Sequence, residues 1–265
     1  MYGEVVLILS KDTVYTSMEE LEKEEELASQ AFFKEALTLL HESRLPYMLG
    51  GAFAMFHYTG IFRPTKDLDI FCKSTEYVPI LKFFAEQGYR VENTDVRWLA
   101  KVYKDDHYID IIFDSVNHIC TVDDSWYERA AHGHFMDIPV RFIPAEELIW
   151  CKLYVQNRER NDNADINHTL LKYGKQLNWD HLLFRIDAHW HLLLSQLLSF
   201  QFVYPSEYAD IIPQKLFMNL LERAKEQYDL PPPVEKVCRG PLIDQTQYQV
   251  DVREWNYKSY TIKTV

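Results

Sequence analysis

Positive charge is scarce in this chain: 28 Lys+Arg stand against 40 Asp+Glu over 265 residues, a formal net charge of −12. Long contacts with a phosphate backbone need many cations, so an extended nucleic-acid surface is disfavoured and a small or cationic partner fits better, although a local basic patch could still hold tRNA. The deficit is uneven, with 14 Lys+Arg against 24 Asp+Glu in residues 1–144 and 14 against 16 in residues 145–265. Cysteine is also sparse. Cys72, Cys120, Cys151 and Cys238 lie far apart with no C-x-x-C pair, which excludes a disulfide framework and predicts a reduced, intracellular protein. No apolar run approaches the ~20 residues that span a bilayer, and no basic stretch followed by an apolar one opens the chain. A cytoplasmic protein without a membrane partner is expected. Internal repeats and low-complexity segments are absent as well. What is present is core-forming material, 47% hydrophobic and 14% aromatic residues, enough for one large domain or a catalytic domain with a smaller appendage.

The most informative stretch runs from Tyr47 to Phe71. An apolar run ends in Gly50-Gly51, a short amphipathic segment follows, and a second apolar run carries Asp67 and Asp69. Residues i and i+2 of a β-strand point to one face, so both carboxylates would project toward one point. Two glycines at a strand-to-helix junction let backbone N–H groups approach an anion, and the helix N-terminus adds partial positive charge. Further on, Tyr108 to Phe113 reads as a buried strand whose single charged residue is Asp110. A carboxylate inside such a run is costly unless paired or bound to a metal. Asp114, just past that strand, is its rival for the third position; Asp110 is preferred because apolar residues flank it on both sides. Three carboxylates, a Gly-Gly turn and two cations beside the pair, Arg63 and Lys66, describe a two-metal phosphoryl-transfer site with hard Mg²⁺ ions, Mn²⁺ being the alternative.

This order of motifs resembles the nucleotidyltransferase superfamily with the polymerase β-like fold. The segments Arg63 to Phe71, Asp162 to Leu171, Asn178 to Leu183, Phe202 to Pro205 and Cys238 to Leu242 are similar to an uncharacterised group of bacterial nucleotidyltransferases. The resemblance implies an α+β fold, a mixed β-sheet with flanking helices followed by a C-terminal helical region. It implies transfer of a nucleoside monophosphate from a nucleoside triphosphate to an acceptor hydroxyl with release of pyrophosphate. Asp67 and Asp69 would hold the nucleotide-bound Mg²⁺ and, with Asp110, a second one. Gly50 and Gly51 would cradle phosphates while Arg63, Lys66 and Lys152 offset their charge, Lys152 being assigned by the resemblance because the helix after the sheet often supplies such a cation. The acidic balance favours a small-molecule acceptor; a toxin-like enzyme acting on tRNA or protein, and a non-catalytic nucleotide- or partner-binding module, are the competing readings. Oligomeric state is open.

Along the rest of the chain, residues 3–9 suit a short strand or an arm, and the acidic run from Glu19 to Glu26 leads into a helical pattern to Leu40. Residues 75–88 predict a helix closed by Gly88. Tyr89–Glu92, Trp98–Tyr103 and Tyr108–Phe113 predict strands, the last two joined by a turn at Lys104–His107. His132-Gly-His134 is a weak zinc signal and reads as a loop. Ile138–Ile143 predicts a last, edge strand that tolerates Pro139. Pro144 opens a helix with a buried stripe of Leu148, Cys151 and Val155, Lys152 lying on its margin. Helices are expected from Asp162 to about Glu226, and Pro231-Pro-Pro233 ends them. The expected organisation is a catalytic domain over residues 1–144, a helical region over 145–230, and an extended tail over 231–265 packing on the body.

Overall fold

The structure is a computed structural model that describes residues 8–10, 13–14, 18–63 and 65–259. Of the strand or arm expected at residues 3–9, residues 3–7 lie outside the described residues. The described part opens with a small hairpin of β1 (Ile8–Ser10) and β2 (Thr13–Val14), followed by the long α1 (Met18–Ser43). Then come β3 (Met48–Leu49), α2 (Gly51–Thr59), β4 (Asp69–Phe71), α3 (Tyr77–Glu86), β5 (Arg90–Asp95), β6 (Leu99–Lys104) and β7 (His107–Ile112). A short α4 (Asp124–Arg129) leads to the hairpin of β8 (Ala131–Phe135) and β9 (Ile138–Phe142).

β3 to β9 form one seven-stranded sheet in the order β5-β6-β7-β4-β3-β9-β8. It is mixed: β4 runs parallel to β7 and β3 parallel to β9, and the other pairings are antiparallel. Apolar residues decide the packing. Phe33, Ala36, Leu37 and Leu40 of α1 are buried, and they cover the sheet at β7 and β9. Ile80, Leu81 and Phe84 do the same from α3 over β5 and β6. Gly88, at φ +89°, ends the α3 turn as expected. Lys104 pairs with His107 across a two-residue turn that holds Asp105 at φ +52°. Asp is among the residues that tolerate this region, so Asp105 and Asp106 are spent on the turn.

Two expectations about the far side of the sheet need correction. The His132-Gly-His134 segment is not a loop but the edge strand β8, with Ala131, Gly133 and Phe135 on its less exposed face. Consequently β9 is not an edge strand. Pro139 is tolerated there because β3 is two residues long and meets β9 only at Leu49↔Phe142, so Pro139 has a neighbour on one side only, His134 of β8.

Helices follow the sheet: α5 (Ala145–Leu153), α6 (Asn163–Tyr173), α7 (Trp179–Ile186), α8 (Trp190–Val203), α9 (Tyr208–Ile211) and α10 (Gln214–Asp229). The mixed sheet with flanking helices and a helical continuation is the fold class expected. α5 is buried almost all round rather than along one stripe, with Glu146, Glu147 and Lys152 enclosed among its apolar residues and Val155 beyond its end. Lys152 therefore sits inside the protein, not on a helix margin. The described residues end in β10 (Val237–Cys238), α11 (Gln249–Arg253) and β11 (Lys258–Ser259). Here Leu242 is buried, and its carbonyl accepts a 2.8 Å hydrogen bond from Asn117 Nδ2. All four cysteines are free. No helix among the described residues is long and apolar enough to cross a membrane.

Candidate active site

The site is a row laid across the centre of the sheet. Parallel pairing puts Asp69 of β4 directly beside Asp110 of β7, and antiparallel pairing puts Lys101 of β6 on the other side of Asp110. Lys101 Nζ donates to Asp110 Oδ1 at 2.5 Å and lies 3.7 Å from the Tyr108 ring centroid. Asp67 precedes β4 rather than lying in it. The extended path still reaches back that far, because Asp110 N donates to Leu68 O at 3.0 Å, so the alternation that aligns Asp67 with Asp69 is kept. Thr65 Oγ1 donates to Asp67 Oδ1 at 2.5 Å and fixes that carboxylate. One oxygen from each of Asp67, Asp69 and Asp110 can be chosen so that all lie within 4.8 Å of one another.

Like charges this close, partly shielded from water, disfavour ionisation. Burial first, then the charges of Asp67 and Asp110, push Asp69 up to about 7; Arg160 and Lys152 pull the other way. Asp110 is raised by burial and by Asp67, and the Lys101 contact opposes this. A divalent cation that takes hard oxygen ligands would relieve the repulsion. Three convergent carboxylates with oxygens this close together fit such an ion.

The two glycines serve different ends. Gly51 has φ +49°, and a Cβ there would lie 1.7 Å from Asp69 Oδ2. Only glycine allows the backbone to pass this close to the carboxylate. A Cβ on Gly50 would meet the Phe71 ring at 2.2 Å, and the Gly50 N–H is already committed to Asp69 O at 2.9 Å. Gly50 is therefore a packing glycine. The first intrahelical bond of α2 runs from Ala54 N to Gly50 O, which leaves the earlier N–H groups at this helix end free for an anion. Gly51 and Ala52 line the cleft.

The cleft in front of the row measures 310 Å³, and Arg63, Trp98, Lys152, Arg160 and Asp165 complete its wall. Lys152, only 6% exposed, donates to Asp162 at 2.6 Å and to Asp165 at 2.8 Å. Arg160 makes a bidentate pair with Asp162, both contacts at 2.9 Å, and Arg63 pairs with Asp165. The cations are thus linked into a network that holds them over the acidic row.

Of the residues expected from sequence, the structure brings Gly51, Arg63, Asp67, Asp69, Asp110 and Lys152 together around one cleft and leaves Gly50 just behind it. Lys66 is exposed and does not line the cleft. Asp114, the rival of Asp110, binds Ser115 N, Thr121 Oγ1 and His118 in the loop after β7. The sequence reading missed Trp98, Thr65, Asp165 and the carboxylate partners of Lys152. Nor did the sequence reading give Arg160 a place in the site. Its signal was the turn-forming stretch around Asn157 and Asn161: Asn157 Oδ1 accepts from Arg160 N at 2.7 Å and holds Arg160 over the cleft.

Residues 33–148 match the family model of the aminoglycoside-2''-adenylyltransferases. No curated protein matches the chain. Among solved structures, it is similar to the antibiotic-resistance factor ANT(2'')-Ia, with 15% identity, 76% of this chain and 99% of that chain covered, and a TM-score of 0.42. It is also similar to the lincosamide antibiotic adenylyltransferase LnuA in its lincomycin-bound form, at 19% identity, 55% and 95% coverage and a TM-score of 0.39. JHP933 from Helicobacter pylori gives 15% identity, 77% and 97% coverage and a TM-score of 0.39. The matched segment, under half of the chain, contains both glycines and all three aspartates, and over it this chain is similar to the aminoglycoside-2''-adenylyltransferases.

Proposed function

We propose that the protein is a metal-dependent nucleotidyltransferase that moves a nucleoside monophosphate from a nucleoside triphosphate to a hydroxyl of a small molecule. The observation that carries this reading is the convergence of Asp67, Asp69 and Asp110 beside the open N-terminus of α2. Asp67 and Asp69, with Asp110, would hold Mg²⁺, which when bound neutralises phosphate charge and draws the reacting oxygens together.

The remaining work falls to the chain. N–H groups at Gly51 and Ala52 receive phosphate oxygens at the helix N-terminus. Arg160 and Arg63, on the rim, and Lys152, below them, offset the charge of the triphosphate. Asp110 orients the acceptor hydroxyl and takes its proton as the acceptor oxygen bonds to the α-phosphorus; the bond from that phosphorus to the bridging oxygen breaks, and pyrophosphate leaves. Lys101 holds one oxygen of Asp110, which fixes the direction of the other. Electrostatic complementarity of this kind is usually the largest contribution in phosphoryl transfer.

The acidic chain and the relation to an aminoglycoside-modifying family support a small, cationic acceptor such as an aminoglycoside. Residues 1–144 would then be the catalytic domain. Residues 145–230 would complete the cleft through Lys152, Arg160 and Asp165, and residues 231–265 would brace the body. A cytoplasmic location suits triphosphate as donor. The test is incubation with each α-labelled nucleoside triphosphate and a panel of aminoglycosides and lincosamides. Label transferred to one acceptor, with matching pyrophosphate and loss of both in Asp69→Ala, is expected; full transfer by Asp69→Ala would overturn the assignment. Salt dependence of acceptor binding separates a small molecule from RNA, for which the slope is steep.

A further inference from the structure

A second cavity is larger than the cleft. It measures 590 Å³ and lies between the end of α1, the start of β3 and the β8–β9 edge. Five of its lining residues carry or can accept positive charge, His41, Arg44, His132, His134 and Arg141, and none is acidic. The floor is apolar, from Leu40, Leu45 and Val140.

Two further observations separate this cavity from a chance surface hollow. First, neither Arg44 nor Arg141 forms an ion pair among the described residues; Arg158, Arg223 and Arg253 share that trait, but Arg44 and Arg141 line one cavity together. In a chain of net charge −12, two unpaired arginines that converge with three histidines make a local positive field against the general trend. Second, Tyr47 lines the cavity, is only 8% exposed, and has a hydroxyl with no hydrogen-bond partner. A buried hydroxyl left unpaired is costly, and a ligand acceptor would remove that cost. Burial pushes the phenol up to about 12 and Arg141 acts against it; both side chains line the same cavity. Local structure fixes the cluster. Arg44 sits at φ +59° directly after α1, and Arg141 is the cross-strand partner of His132.

We propose that this cavity is a second binding site, for a phosphate-bearing small molecule, distinct from the three aspartates. Arg44 and Arg141 hold the phosphate, Tyr47 donates a hydrogen bond to it, and the apolar floor takes an organic portion. Tyr47 stands at the opposite end of β3 from Gly51, about 13 Å along an extended chain. Occupancy would therefore bear on the strand that leads into the catalytic glycines.

The test is isothermal titration of the full chain with inorganic pyrophosphate, and with phenyl phosphate, in EDTA so that no metal bridges the anion to the aspartates. One-to-one binding is expected. Arg44→Gln and Arg141→Gln should each weaken it about tenfold, as expected for loss of a charge-assisted hydrogen bond, and the double variant should abolish it. Asp67→Asn/Asp69→Asn should bind at least as well as wild type. Tyr47→Phe should weaken binding several-fold while leaving the ligand-free melting temperature equal or higher, a split that a structural role for the hydroxyl would not produce. Binding that survives in the Arg44→Gln/Arg141→Gln double variant overturns the proposal, as does a flat titration of the wild type up to about 10 mM. Neither result bears on nucleotidyl transfer at the other site.

Discussion

Two carboxylate clusters in this protein receive opposite treatment. In the cleft, Asp69 lies beside Asp110 and near Asp67, and burial and mutual repulsion raise it to about 7. At the contact between α5 and α7, Glu147 is fully buried, yet it accepts from Arg185 Nε at 3.1 Å and lies 2.6 Å from His181 Nε2. The same Arg185 makes a bidentate pair with Asp123 at 2.7 and 2.9 Å. Burial pushes Asp123 up, but the hydrogen bonds from Arg185 and Ser125 outweigh it and hold the group down to about 2. One cluster pairs its carboxylates with Arg185 and His181, although Glu147 Oε2 is left without a partner; the other gathers three carboxylates with Lys101 paired to Asp110. An acidic row whose carboxylates outnumber the cations paired to them, beside an open helix N-terminus, is arranged for a ligand, whereas a cluster tied to Arg185 and His181 is arranged to hold helices together.

The comparison can be broken most severely at Asp69. Asp69→Asn should lower turnover by about a hundredfold or more, since a group acting on transition-state charge is removed, while the melting temperature stays level or rises because repulsion is relieved. Arg185→Met should show the reverse. It strands Glu147, so stability should fall by about 3–5 kcal/mol, read by urea unfolding, with triphosphate affinity per folded molecule unchanged. A smaller effect is expected for Gly51→Ala, whose Cβ would displace Asp69 Oδ2: about a tenfold loss of triphosphate affinity, on the scale of ~1–2 kcal/mol for a forced left-handed residue. The smallest effects are in pH. Between about pH 4 and 7 the folded, metal-free protein keeps a proton on Asp69 that the unfolded chain has released. Its stability should therefore fall as pH rises through that range, and metal affinity should rise, with both trends absent in Asp69→Asn. Asp123 works the other way: its contribution is complete above about pH 4 and is lost as pH falls toward 2.

What was legible in the sequence was whatever local spacing encodes. The two-residue spacing of Asp67 and Asp69, the lone charge in the strand of Asp110 and the Gly50-Gly51 junction are short-range patterns, and strand register carries them into proximity. Helix α1 and the turn at Asp105 were readable for the same reason. The network of Lys152, Asp162, Asp165, Arg160 and Arg63 was not. It joins residues about a hundred positions apart, Arg63 and Asp165 among them, and no periodicity records which carboxylate a cation meets. Lys66 shows the same limit in reverse: it is next to Asp67 in sequence, yet it stands exposed at a bend while Asp67 lines the cleft. The edge strand at His132-Gly-His134 was hidden because Gly and His are weak strand formers; pairing with β9 overrides that preference.

The most direct test of the central claim is titration of the four nucleoside triphosphates with Mg²⁺ into wild type and into Asp67→Asn/Asp69→Asn. Metal-dependent binding of at least one triphosphate, abolished in the variant, is the predicted result. Binding that is equal in the two proteins, or that proceeds unchanged in EDTA, would contradict it.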